Sequence, residues 1–188
     1  MSTPSPAPLT WRQLAVPVLA MTLVGASLQL LPIATVQPVR SVRVARLIWW
    51  MLVLGVLVLV AGMASAAAMM LLAGGGAVVA ALALYAWLLA ANLIASARAR
   101  ATISGLVVHA RGAWLALVVV LVTATMLIAH HALGIPLFSE LGRMHGVVAL
   151  FGFVGLAALG FSYLLIPLFG VVRPPPPQTQ IVIFSILA

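Results

Sequence analysis

The sequence contains no cysteine, no lysine, no aspartate and a single glutamate, Glu140. Each absence removes a class of chemistry. Without cysteine there is no disulfide, no iron–sulfur cluster, no thiolate metal site and no cysteine nucleophile. With one acid, hydrolysis by paired carboxylates and ion transport coupled to carboxylates both lack their working groups. The sequence also carries no phosphate-binding loop and no proteolytic dyad. Charged residues make up 5% of the chain, against roughly 25% in a soluble domain. That excludes a soluble globular fold.

What is present is apolar: 65% hydrophobic residues and a mean hydropathy of +1.31. Apolar runs reach the ~20 residues that cross a bilayer core. Five are of spanning length: Leu14 to Leu31, closed by Pro32, then Leu47 to Met63, Met69 to Ile94, Ala113 to His131, and Met144 to Phe169. They predict an all-α fold, a polytopic transmembrane bundle of five spanning helices occupying residues 12–172. Residues 1–11 are polar and rich in Pro and Ser, and are expected to be disordered. Residues 173–188 open with "RPPPPQTQ", a stiff polyproline break. The closing "IVIFSILA" is too short to span and reads as the start of a partial sixth helix. A chain that continues further is the expectation; a tail lying on the membrane is the other reading.

The formal net charge of +8 comes from nine arginines against one acid. In a soluble protein it would point to nucleic acid. Here the arginines sit in the connections between apolar runs, so they speak for topology, and no nucleic-acid partner is expected. Arg40, Arg43 and Arg46 lie in the first connection, Arg98, Arg100 and Arg111 in the third, and Arg173 in the tail. The fourth connection holds Glu140 and Arg143. The positive-inside rule places the first and third connections and the tail in the cytoplasm, and the N-terminus outside. Seven arginines thus fall on the cytoplasmic side and two, Arg12 and Arg143, on the other. Trp49 and Trp50 follow the first arginine cluster as interfacial anchors do. The partner implied first is the lipid bilayer, with anionic headgroups near the arginines. Arginine without lysine, beside abundant Ala, Leu and Val, suggests a high-GC bacterial genome and hence the bacterial inner (plasma) membrane.

Ionisable side chains in a membrane span are functional candidates by default. His109 falls in the arginine-rich third connection and reads as a solvated or lipid-facing loop residue. His130 and His131 end the fourth run and His145 opens the fifth. In the deduced topology all three lie at the outer face on antiparallel neighbours. Imidazole is the commonest protein ligand for haem iron, copper and zinc. The plain alternative is a set of interfacial histidines capping helix ends. Met63, Met69, Met70 and Met144 fall near the same face. Met126 lies one helical turn inside His130 and shares a helix face with it and Thr123. Thioether with imidazole suits Cu(I), and also haem iron. On this count His130 is better placed than His131. Core gap-filling is the ordinary role of methionine.

The fifth run, "HGVVALFGFVGLAALGFSYLLIPLF", carries regularly placed glycines. At 100° per residue His145, Ala149, Gly152, Leu156, Leu159 and Tyr163 form one stripe. Ala149 and Gly152 would lie beneath His145 and leave room for a flat macrocycle. Gly155 and Gly160 flank the stripe. Ala149, Gly152, Gly155 and Gly160 equally suit close helix packing in lipid. Tyr163 is ~27 Å from His145 by the helical rise and falls in the inner aromatic belt. Gly74, Gly75 and Gly76 would loosen the third helix or admit a neighbour, and Gln29 is expected to face the bundle.

Two stretches resemble a known family. "GASLQLLPIATVQPV" (Gly25 to Val39) looks like the first-helix exit of bacterial membrane proteins related to subunit I of haem-copper oxidases. His145, Gly152, Gly155, Gly160, Tyr163, Pro167 and Phe169 match the register of a later helix of that family: an opening His, Gly-x-x-Gly, then Gly-x-x-Tyr-x-x-x-Pro-x-Phe. The resemblance implies an oxidase-like helical bundle binding haem, or less readily copper, near the outer face through His145 with His130 or His131. Met126 is a further candidate metal ligand. The implied role is electron transfer or redox-cofactor handling. The first helix lacks the histidine that the family leads one to expect, and the chain is shorter than family members, so a complete oxidase is not expected. A cofactor-free structural or assembly subunit is the rival reading. Either implies partners: other membrane subunits or a homo-oligomer.

Overall fold

A computed structural model describes residues 11–35, 37–99 and 104–171, together with Arg173, Pro176, Thr179 and Val182. The polar N-terminal stretch up to residue 10 and the expected sixth helix lie outside the described residues, apart from isolated positions. The described residues form five helices and no strand. They are α1 (Trp11–Thr35), α2 (Val42–Ser65), α3 (Ala68–Ala99), α4 (Ser104–Leu133) and α5 (Leu141–Gly170).

Four of these, α2 to α5, are long and apolar enough to cross a membrane. In α1, a helix of 25 residues, the described apolar stretch is Val18–Leu30. Pro32 does not close the helix, which continues to Thr35.

Local chemistry explains the helix ends. Ser41 caps α2, its side-chain oxygen accepting from the Val44 amide at 3.3 Å. Ala66, in the left-handed region at φ 51°, ends α2 and turns the chain directly into α3. Gly134, at φ 69°, ends α4 and returns its amide to the His130 carbonyl. The apolar-run reading starts the fourth helix only after Arg111. The hydrogen-bonded helix starts earlier, at Ser104, because a charge interrupts hydropathy without interrupting the backbone ladder.

α2 and α3 form the tightest pair, an antiparallel hairpin. A Cβ at Gly74 would run into the backbone of Leu59. Gly55 faces Ala77 and Val78, and Gly62 faces Met70 and Leu71, in the same running register. Gly75 admits Ile128 of α4. Small residues at such contacts let helices approach closely where lipid supplies no hydrophobic drive. Polar links across the bundle include the Tyr85 and Ser27 hydroxyls at 2.8 Å, and the Trp114 indole N–H donating to the Ala86 carbonyl at 3.0 Å. Arg40 stacks over Trp87 with its guanidinium carbon 5.3 Å from the ring centre. Gln29 is exposed, whereas Ser27 and Thr35 of α1 are buried.

Candidate functional site

α5 is not α-helical throughout. Val148–Gly155 is a π-helix, flanked by α-helical turns. Such wide turns are rare and frequently lie at functional sites. This one resets the facing of the helix. From His145 the buried positions run Ala149, Phe153, Ala157, Gly160 and Tyr163. The stripe expected from 100° spacing placed Gly152, Leu156 and Leu159 there instead. The wide turn advances the middle of the stripe by one residue, so Phe153 rather than Gly152 follows Ala149 inward. Phe153 is 2% exposed and meets Tyr85 edge-on at 6.2 Å.

Gly152 faces α4, where a Cβ would come within 2.9 Å of the Ala116 Cβ. Gly160 also faces α4, with its would-be Cβ 3.0 Å from that of His109. Gly155 meets no other helix within 4 Å; its nearest neighbour is the carbonyl of Leu150 on its own helix.

A cavity of about 660 Å³ opens between all five helices on the histidine side of Phe153. Its walls are apolar, with contributions from Met21 of α1, Leu52 and Met63 of α2, and Gly75 of α3. Ala149 and Phe153 form part of the α5 wall. Two imidazoles line it, His131 and His145. The volume lies in the range, roughly 300–1,000 Å³, of pockets that enclose a cofactor-sized ligand.

The four histidines have separate surroundings. His145 Nδ1 is 2.9 Å from the Thr123 hydroxyl of α4. The register of the antiparallel α4–α5 pair makes that contact. His131 follows His130 at the end of α4, their rings 4.9 Å apart and edge-on. His130 does not line the cavity: its Nδ1–H donates to the Ile135 carbonyl at 2.6 Å, so the ring folds over the α4–α5 connection. His131, and not His130, stands on the cavity wall, since consecutive helix positions point about 100° apart. Met126 is partly exposed and absent from the cavity wall, where Met21 and Met63 stand instead. Met69 and Met144 are exposed.

His109 is the largest departure from expectation. It lies inside α4, fully buried, with Nδ1 2.8 Å from the Gly105 carbonyl. Its ring packs edge-on against Tyr163 at 5.2 Å. Tyr163 is thus a buried partner rather than a belt residue. The small residue Gly160, on α5 opposite His109, was the available sequence signal. Thr123 was also missed as a partner of His145, because only the pairing of α4 with α5 connects them.

A bare copper ion takes its whole coordination sphere from the protein, whereas haem iron is held by its macrocycle and asks for axial ligands. Two imidazoles on the wall of an apolar cavity fit the second requirement. Among the described residues no group of three or more His, Cys, Asp or Glu comes together as a metal site. Arg143 pairs with Glu140 at the exposed start of α5.

Fold and site together define an all-helical protein with four potential membrane spans and an apolar, imidazole-lined cavity. No family model, no curated protein and no solved structure matches the chain.

Proposed function

We propose that this is an integral protein of the bacterial inner membrane, of oxidase-like fold, that holds haem in the cavity through His145. His131 is the candidate second imidazole, and the role is electron transfer or redox-cofactor handling. Copper is the second choice of cofactor. The arginine-rich end faces the cytoplasm and the cavity lies toward the outer face, as the distribution of arginines argues. The observation that carries this reading is the joint placing of His145 and His131 on a cavity of cofactor size. When bound, the iron supplies one-electron chemistry. His145 would ligate it, and Thr123 would hold the His145 ring. Leu52, Phe153 and the other apolar walls would keep water from it.

The rival is a cofactor-free assembly subunit that docks through small-residue helix faces. Gly55, Gly62, Gly74, Gly152 and Gly160 are already spent on contacts within this chain, which favours the cofactor reading. A reduced-minus-oxidised visible spectrum of the purified full chain, with metal analysis, separates the two. A haem band that disappears in His145→Ala is the expected result. No Soret band and no stoichiometric copper would overturn the proposal.

A further inference from the structure

The contact between Thr123 and His145 contains more than proximity, because a hydroxyl has only one proton. Thr123 Oγ1 lies 2.9 Å from the Val119 carbonyl and 3.2 Å from the Val120 carbonyl. A hydroxyl proton held by either carbonyl leaves the same oxygen presenting a lone pair toward His145. In that arrangement the proton of the 2.9 Å contact comes from the imidazole, from Nδ1–H. The neutral ring carries a single proton, which leaves Nε2 unprotonated. Among the described residues Nε2 has no hydrogen-bond partner, and the ring forms part of the cavity wall.

We infer that Thr123 is a positioning residue that fixes His145 as the Nδ1–H tautomer and so presents the Nε2 lone pair to the cavity. The ligand class follows. His145 offers the cavity a partner for a species that accepts an electron pair from Nε2, a metal centre carried in an apolar frame. The arrangement has the form of metal-binding histidines, whose far ring N–H is held by a second group that orients the ring and raises its basicity. Thr123 is 7% exposed, so water does not compete for the contact. This inference rests on the haem reading for the identity of the ligand, and on hydrogen bonding alone for the tautomer.

Two measurements keep those parts apart. The first is ¹⁵N NMR of the histidine-labelled full chain in detergent, with the His145 signals assigned by comparison with His145→Ala. The expected spectrum shows Nδ1 protonated and Nε2 bare or metal-bound, and shifts in Thr123→Val, which keeps the shape and deletes the acceptor. Protonated Nε2 with bare Nδ1 in the unsubstituted protein overturns the tautomer assignment, whether or not haem is present. The second is haem retention with the iron–histidine stretching frequency. Thr123→Val is expected to weaken binding by about 10–100-fold, the usual effect of deleting such a partner, and to lower that frequency. Thr123→Ser restores both. Unchanged affinity and frequency in Thr123→Val overturn the positioning role. A chain with no haem band but the Nδ1–H tautomer overturns the proposed function and leaves the tautomer assignment standing.

Discussion

At the scale of single residues, two adjacent histidines have opposite expected roles. His131 is on the cavity wall with His145, and His130 donates to the Ile135 carbonyl of the following connection. His131→Ala should therefore perturb the spectrum or potential of a bound haem, while His130→Ala should leave both near the unsubstituted values. The reverse ranking in a visible-range redox titration would remove His131 from the site. Met126→Leu is expected to have no effect on the spectrum, because Met126 is not part of the cavity wall. His109 makes a different prediction. Its ring is fully enclosed against Tyr163, and Gly160 passes close to its Cβ. Gly160→Val should destabilise the α4–α5 pair by about 1–3 kcal/mol through overpacking, read as a lowered midpoint of thermal unfolding in detergent.

At the scale of elements, the π-helical stretch of α5 decides which residues carry the packing. Phe153 is buried at 2% exposure, whereas Leu159 is 36% exposed. In lipid the transfer term of a truncation largely drops out and lost van der Waals contact remains. Phe153→Ala should still cost about 1–3 kcal/mol from the cavity it leaves, and Leu159→Ala much less. Comparable costs for the two would mean that α5 keeps α-helical spacing through its middle. The α2–α3 hairpin supplies a second check on packing. Gly74→Ala pushes a methyl into the Leu59 backbone, which cannot move aside as a side-chain tip could. Gly76→Ala meets nothing within 4 Å. The first should lower the unfolding midpoint, and the second should leave it unchanged or raise it slightly through helix propensity.

At the scale of the whole molecule, the bundle has an arginine-rich end and a histidine-bearing end. The proposed orientation puts the second outside. A chain with no native cysteine makes this directly measurable. Ser139→Cys, in the exposed α4–α5 connection, should react with an impermeant maleimide added to intact cells. Ala97→Cys, exposed near the end of α3, should react only after the membrane is opened. The opposite labelling pattern would invert the topology and move the cavity to the cytoplasmic side.

Composition and apolar run length were enough to exclude a soluble fold and to locate the helices, because insertion into lipid depends on hydropathy summed along the chain. The ends of α2 and α3 lie within a few residues of the apolar runs, and the arginines of the connections were legible for the same reason. The inward face of each helix was not legible. The facing of α5 depends on one wide turn, which no hydropathy sum registers, and that turn exchanges Gly152 for Phe153. The contact between Thr123 and His145 depends on how α4 and α5 slide against each other. The burial of His109 depends on Tyr163 and Gly160 being opposite it. Helix phase and register are set by side chains interlocking across helices. The chain alone therefore pointed to a membrane bundle with histidines near one end, and the tertiary structure decided which of them share a cavity and which partner orients His145.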